Sequence, residues 1–127
     1  LNPGGIRIGT AELYRVVEAI KNIEEVIAVA QNWNNDVRII LFVKLSHNIN
    51  LTKDYKQLIS QELRNQLSVR HVPAHIIQVA DIPKTRSGKI AELTIKDIIN
   101  GDPVKNIEAL SNPDCLKEYQ NIAEIKK

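Results

Sequence analysis

Leu13, Val16, Val17 and Ile20 fall at i, i+3, i+4 and i+7, the spacing of one buried helical face. The pattern predicts an amphipathic helix capped by Thr10, with Glu12 in its first turn and Asn22 near its end. Residues 26–30 are short, apolar and partly β-branched, so they predict a strand. A turn over 32–36 leads to a second strand over 37–45. Its core, Ile39-Ile40-Leu41-Phe42-Val43, is continuously apolar, as expected of a central strand covered on both faces. The short connection makes this pair antiparallel. After a loop over 46–50, Thr52 caps a helix over 53–68 with Tyr55, Leu58, Ile59, Leu63 and Leu67 on its buried stripe. Arg64 falls in the last turns, where a cation suits the helix dipole.

The Pro73 region ends that helix, and residues 76–79 predict a third strand. Thr94 is expected to cap a short helix over 95–99, closed by Gly101. A further short helix is expected near Pro113–Tyr119, with the last residues, 123–127, frayed. At the other end, Asn2-Pro3-Gly4-Gly5 is a turn signal inside a small hairpin over 1–8. The sum is an α+β domain: a mainly antiparallel sheet of about three strands flanked by helices, with an N-terminal two-stranded ribbon.

Length and composition keep that picture within one domain. The chain has 127 residues, 43% hydrophobic and 25% charged, enough for a real core. Aromatics are only 4%, so aliphatic side chains must fill it. No apolar run approaches the roughly 20 residues of a membrane helix. The single cysteine, Cys115, excludes an internal disulfide and fits a reducing compartment. The chain starts at Leu1 and has no methionine, which is expected of a fragment or a processed product. A net charge of +2 argues against a general nucleic-acid binder. The distribution changes the picture more than the total. Between residues 64 and 89, five cations (Arg64, Arg70, Lys84, Arg86, Lys89) face one acid, Asp81, a local excess of four. An anionic small ligand such as a nucleotide is a sensible partner for it. So is a plain solvated face.

Pro83-Lys84-Thr85-Arg86-Ser87-Gly88-Lys89 concentrates the candidate chemistry. Lysine is a compact point charge with three donors on a flexible stem. Gly88 permits positive φ and a close backbone approach, and Pro83 fixes the start of the loop. Such a loop can set one ammonium against a phosphate or oxyanion, although it also reads as an exposed turn.

This segment resembles the last core motif of the adenylate-forming enzymes, which include the acyl-CoA synthetases. A second stretch, Gly4-Gly5-Ile6-Arg7-Ile8-Gly9-Thr10-Ala11-Glu12-Leu13, resembles the motif that follows the hinge in that superfamily. Two motifs in the right order carry the resemblance together. It implies that residues 1–127 form the mobile C-terminal lid of an AMP-forming acyl-CoA synthetase, with residues 100–127 as a family-type extension. The large N-terminal adenylating domain of the same chain is then its partner.

Such enzymes use ATP to turn a carboxylate into an acyl-adenylate, then let the CoA thiol displace AMP; Mg2+ is expected with ATP, with no ligands in this domain. The resemblance assigns Lys89 as the adenylation lysine. By the same resemblance Gly4 and Gly5 are expected along the pantetheine tunnel, and Arg7 is expected to support phosphate contacts or hold the loop. Arg64 aligns, more loosely, with an arginine that contacts the CoA 3′-phosphate; Arg70 is near enough to serve instead. The tail, with Arg70-His71-Val72-Pro73 and the glycine loop, resembles the acetoacetate-activating branch, whereas Lys84-Thr85-Arg86 looks more like acetyl- and propionyl-activating enzymes. Acetoacetate, ATP and CoA are the implied substrates, in the cytoplasm, with no nucleic acid and no membrane. A lid for another short acid, or a stand-alone module that binds nucleotide or CoA without catalysis, stays open.

Overall fold

In a computed structural model, which describes residues 8–127, three strands form one sheet in the order β1-β2-β3. Helix α1 (Thr10–Glu18) precedes β1 (Ile23–Trp33) and β2 (Asp36–Leu45). Helix α2 (Lys53–Gln66) leads through a 3₁₀ turn (Val69–His71) to β3 (His75–Gln78), and α3 (Glu92–Ile99) is followed only by 3₁₀ turns, the longest at Pro113–Tyr119. The N-terminal ribbon expected over 1–8, and with it Gly4, Gly5 and Arg7, lies outside the described residues apart from Ile8.

The sheet is mixed. β1 and β2 pair antiparallel along nearly their whole length, from Ile23 opposite Leu45 to Trp33 opposite Asp36. β3 adds a short parallel ladder, Ile40 opposite His75 to Val43 opposite Gln78. The β1–β2 connection is the two-residue turn Asn34-Asn35, both in the left-handed region at φ 49° and 61°. That geometry matches strand twist and is one asparagine tolerates better than most residues.

The apolar run of β2 is explained by its position. Ile39, Leu41, Val43 and Leu45 point into one core, shared with Leu13, Val16 and Val17 of α1 and Ile59 and Leu63 of α2. Ile40 and Phe42 point into a second core, with Ile82, Ile95, Leu116 and Tyr119. Two faces need two covers, so no polar alternation survives in the central strand.

Several local expectations shift. Thr10 is the first helical residue rather than the cap; Gly9, extended at φ −77°, ψ 141°, takes the N-cap position without a side-chain bond. Thr94 sits inside α3, which starts at Glu92 because the Ala91 N–H is already held by the Pro83 carbonyl at 3.0 Å. Leu58 is exposed, since a stripe spaced by four (Tyr55, Ile59, Leu63, Leu67) suffices to seat α2. Thr52 does cap α2, accepting from the Tyr55 N–H at 3.2 Å. Gly101, at φ 75°, closes α3: its N–H reaches the Ile98 carbonyl at 3.2 Å and the Asp102 N–H the Asp97 carbonyl at 2.8 Å.

The end of the chain is tied down rather than frayed. Ile125 is buried, and its carbonyl accepts from Gln31 Nε2 and Arg38 Nη2, both at 2.8 Å. Arg38 also lies 3.7 Å over the Trp33 ring, a cation–π contact that holds the guanidinium flat.

Candidate active-site lysine hairpin

The hairpin is built on a braced base. Ile82 is fully buried and Pro83 is buried beside it, anchoring the loop in the second core. Asp81 and Ile82 are clasped from the tail by one side chain: Asn112 Nδ2 donates to Asp81 Oδ2 and to the Ile82 carbonyl, each at 2.9 Å, while Asn112 Oδ1 accepts from the Lys84 N–H at 2.8 Å. Glu118 accepts from the Ala80 and Asp81 N–H groups at 2.7 and 3.3 Å, and the Tyr119 hydroxyl donates to the Asp81 carbonyl at 2.7 Å. A strip of tail backbone then runs beside the hairpin. Ser111 N–H reaches the Lys84 carbonyl at 2.9 Å, and Arg86 N–H the Ala109 carbonyl at 2.9 Å.

Within the hairpin, Thr85 N–H donates to the Lys89 carbonyl at 2.8 Å and Gly88 N–H to the Thr85 carbonyl at 2.9 Å. Gly88 turns the chain at φ 89°, where a side chain would be strained even though the space for a Cβ is open. The Thr85 hydroxyl accepts from the Lys89 N–H at 3.2 Å and bonds the Ser87 hydroxyl at 2.9 Å. These bonds account for the hydroxyls of the motif: they brace the turn from inside.

The five cations counted along 64–89 do not act as one patch. Lys84 forms an ion pair with Glu25, which Lys44 shares at 3.6 Å while reaching Asp81 at 3.7 Å. Arg86 Nε donates to the Glu108 carbonyl at 3.0 Å. Lys89 is exposed, and among the described residues its ammonium has no partner. The fold thus occupies Lys84 and Arg86 and leaves Lys89 for something else. Burial pushes the Asp81 carboxyl up, but bonds from Asn112 and the Ile82 N–H, with Lys44 and Lys84 nearby, win and hold it below its ordinary value. Cys115, behind the same base, is raised to about 11 by burial first and then by Asp81 and Glu118. It is a packing residue, not a nucleophile.

Arg64 is carried elsewhere. It is exposed on α2, where Lys53, Lys56, Gln57, Ser60, Gln61 and Arg64 line a shallow depression of about 430 Å³. Helix α2 packs against one face of the sheet, whereas the hairpin and α3 belong to the other. Arg64 and Lys89 therefore stand on elements that cover opposite faces of the sheet. Arg70 is exposed in the Val69–His71 turn.

Asn112, Glu118 and Tyr119 were not among the residues the sequence singled out, and they are the ones that position the lysine loop. Their only sequence signal was polar and aromatic side chains in a tail with little helical period. Among the described residues, no group of three or more His, Cys, Asp or Glu side chains could hold a metal ion, and no helix is long and apolar enough to cross a membrane.

No family model matches the chain. Individual proteins do. It is 49% identical over 99% of its length to an acetoacetyl-coenzyme A synthetase of Rhizobium meliloti, and 41% identical over 99% to an acetoacetyl-CoA synthetase of Xenopus tropicalis. The chain spans 19% of the length of each. Among solved structures, an acetoacetyl-CoA synthetase from Streptomyces lividans superposes with a TM-score of 0.83 at 30% identity, covering 96% of this chain and 19% of that one. An acyl-CoA synthetase of Brucella canis follows at TM-score 0.70 and 25% identity, covering 76% of this chain and 18% of its own. In sequence and in fold, this chain is homologous to one segment, about a fifth, of the acetoacetyl-CoA synthetases.

Proposed function

We propose that this chain is the C-terminal lid of an AMP-forming acetoacetate–CoA ligase, in which Lys89 serves adenylation. The observation that carries the reading is the Lys89 hairpin. One solvent-facing ammonium without a partner among the described residues stands on a turn whose every neighbour is bonded into the fold. The 49% identity to an acetoacetyl-coenzyme A synthetase supports acetoacetate as the acid. In the first step an acetoacetate oxygen attacks the α-phosphorus of ATP, the bond to pyrophosphate breaks, and Mg2+ travels with the nucleotide. Lys89 bridges the two anions as they approach and the charge that shifts onto the leaving group. A preorganised cation in a site shielded from water is worth far more there than in bulk solvent. In the second step the CoA thiol attacks the acyl carbonyl and AMP leaves.

The lid turns a different face to the active site for that step. The opposite placement of Arg64 and Lys89 supports this division. The basic depression around Arg64, with Lys53 and Lys56, supports a role toward the 3′-phosphate of CoA. Gly4, Gly5 and Arg7 are proposed on the same thioester-forming face, from the resemblance alone. The acyl pocket and most of the ATP site belong to the adenylating domain, and the whole enzyme works in the cytoplasm.

In the full-length ligase, Lys89→Ala should lower acetoacetyl-adenylate formation by on the order of 10²–10³, with Lys89→Arg recovering part of it. Adenylation at the wild-type rate in Lys89→Ala would remove the lysine from the chemistry.

A further inference from the structure

Helices α1 and α3 meet at the open edge of β1, where a cleft of about 360 Å³ has Thr10, Ala28, Glu92, Leu93 and Lys96 among its walls. One hydroxyl bridges this junction. Tyr14 Oη donates to Glu92 Oε2 at 2.5 Å and accepts from the Ala28 N–H at 3.1 Å. It uses its proton and a lone pair at once, so a single atom of α1 holds both the β1 edge and α3. The bond to Glu92 is at the short end for an O–H···O⁻ pair, a class roughly twice as strong as a neutral hydrogen bond. Burial pushes the Tyr14 hydroxyl up, so it stays a donor at any working pH.

The two ends of this strap stand at the two motifs. Tyr14 directly follows the stretch Gly4–Leu13, and Glu92 is the third residue after Lys89. Between Lys89 and Glu92 the chain is tied down: Ile90 pairs with Lys84, and the Ala91 N–H reaches the Pro83 carbonyl at 3.0 Å. Asn112, Glu118 and Tyr119 brace the entry of the hairpin, and the strap reaches its exit. Its ends are seated unequally. Helix α1 buries Leu13, Val16 and Val17, whereas α3 buries Ile95 alone. Without the strap, α3 and the hairpin exit gain freedom while α1 keeps its seat. A carboxylate at the start of α3 also suits the helix dipole. The dipole does not account for a tyrosine hydroxyl aimed at that carboxylate from another helix.

We infer that Tyr14 and Glu92 are positioning residues for adenylation: their bond fixes the exit of the hairpin against α1 and so sets where the Lys89 ammonium points. The effect on rate rests on the ligase reading above; the effect on hairpin order does not. Neither side chain acts on substrate directly. A displacement of about 1 Å can cost on the order of 10²-fold in rate, and the strap is one brace among several, so a loss of about tenfold is expected.

The test uses the full-length ligase carrying Tyr14→Phe, Glu92→Gln, Glu92→Ala and the pair Tyr14→Phe with Glu92→Ala. Each half-reaction is measured at a temperature where thermal melts show every variant folded. Tyr14→Phe and Glu92→Ala should each lower the kcat of adenylate formation by about tenfold, with the KM for ATP within about twofold of wild type. Thioester formation from supplied acetoacetyl-adenylate should hold within about twofold. Glu92→Gln keeps an acceptor for the hydroxyl and should recover most of the rate. The paired variant should be no slower than the worse single variant, because both remove one bond. As a readout independent of activity, hydrogen exchange of residues 83–92 should speed several-fold in Tyr14→Phe, while α2 exchanges as in wild type.

Wild-type adenylation or unchanged hairpin exchange in folded Tyr14→Phe would overturn the inference. So would equal loss in both half-reactions, multiplied losses in the paired variant, or Glu92→Gln as slow as Glu92→Ala, which would leave only the dipole role. Lys89→Ala run alongside separates the two claims. If it loses adenylation while Tyr14→Phe does not, the ligase reading stands and the strap falls. If Lys89→Ala keeps adenylation, the ligase reading falls, and hairpin exchange still decides whether the strap orders the loop.

Discussion

The two faces of the sheet are held by different physics. On one, α1 and α2 lay Leu13, Val16, Val17, Ile59 and Leu63 onto the strands, and regular helices with apolar stripes do most of the work. On the other, α3 is only eight residues long, and the remaining cover is 3₁₀ turns and tail. There, Asn112, Glu118 and Tyr119 satisfy the loop backbone from outside, and Phe42 meets Tyr119 edge-on at 4.8 Å between ring centres. The comparison shows where precision is located in this fold. Area burial stabilises the first face but fixes positions only loosely. Directed hydrogen bonds on the second fix one hairpin, and with it Lys89.

Truncation of one core residue on each face is the strongest way to break that comparison. Leu63→Ala should cost about 2–5 kcal/mol and Tyr119→Ala about 3–5 kcal/mol in denaturant unfolding. In the full-length ligase at a temperature where both remain folded, only Tyr119→Ala should also slow adenylation, because it alone releases the Asp81 carbonyl. Equal effects of the two on adenylation would mean the faces are not distinct.

Asn112→Ala sharpens the point with a smaller loss. Three bonds go, and the stability change should be about 1–3 kcal/mol, with adenylation falling more than thioester formation. Asn100 is the matching test at the sheet edge. Its Nδ2 donates to the Ala30 carbonyl at 3.0 Å and its Oδ1 accepts from the Asn32 N–H at 2.7 Å, so it covers the free edge of β1. Asn100→Ala should cost about 1–2 kcal/mol by thermal melt without separating the two half-reactions.

The smallest effect is one of pH. Asp81 has a lowered pKa in the fold, so the stability it lends is fully present above the ordinary carboxylate range. That stability is lost as pH falls through the lowered value. Acid melts of wild type and Asp81→Asn should converge at low pH and diverge above it. Parallel curves across that window would remove Asp81 from the brace.

The same contrast decides what was legible in the sequence. The first face could be read because its signals are periodic: the α1 and α2 stripes, the Thr52 cap, the apolar run of β2. The glycine closing α3 could be read because few residues take φ 75° comfortably. Asparagine repeatedly does the same duty at Asn22, Asn34, Asn35, Asn48, Asn106 and Asn121, which makes the turns look merely polar in sequence. The second face was largely hidden. Side-chain to backbone bonds spanning about thirty residues, such as Asn112 to Ile82, leave no period. For that reason the tail read as frayed at the end where Gln31 and Arg38 hold it. The cations of 64–89 read as one cluster because charge adds along a sequence, whereas in space Lys84 is spent on Glu25 and Arg64 sits across the sheet.

The proposed function stands or falls on whether opposite layers of this chain serve opposite steps. The most direct measurement is a crossed comparison in the full-length ligase: Lys89→Ala and Arg64→Ala, each assayed for adenylation from acetoacetate and ATP and for thioester formation from supplied acetoacetyl-adenylate. The account predicts that Lys89→Ala loses the first and keeps the second, while Arg64→Ala keeps the first and weakens the second through a raised KM for CoA. Loss of the same half-reaction in both variants would contradict it.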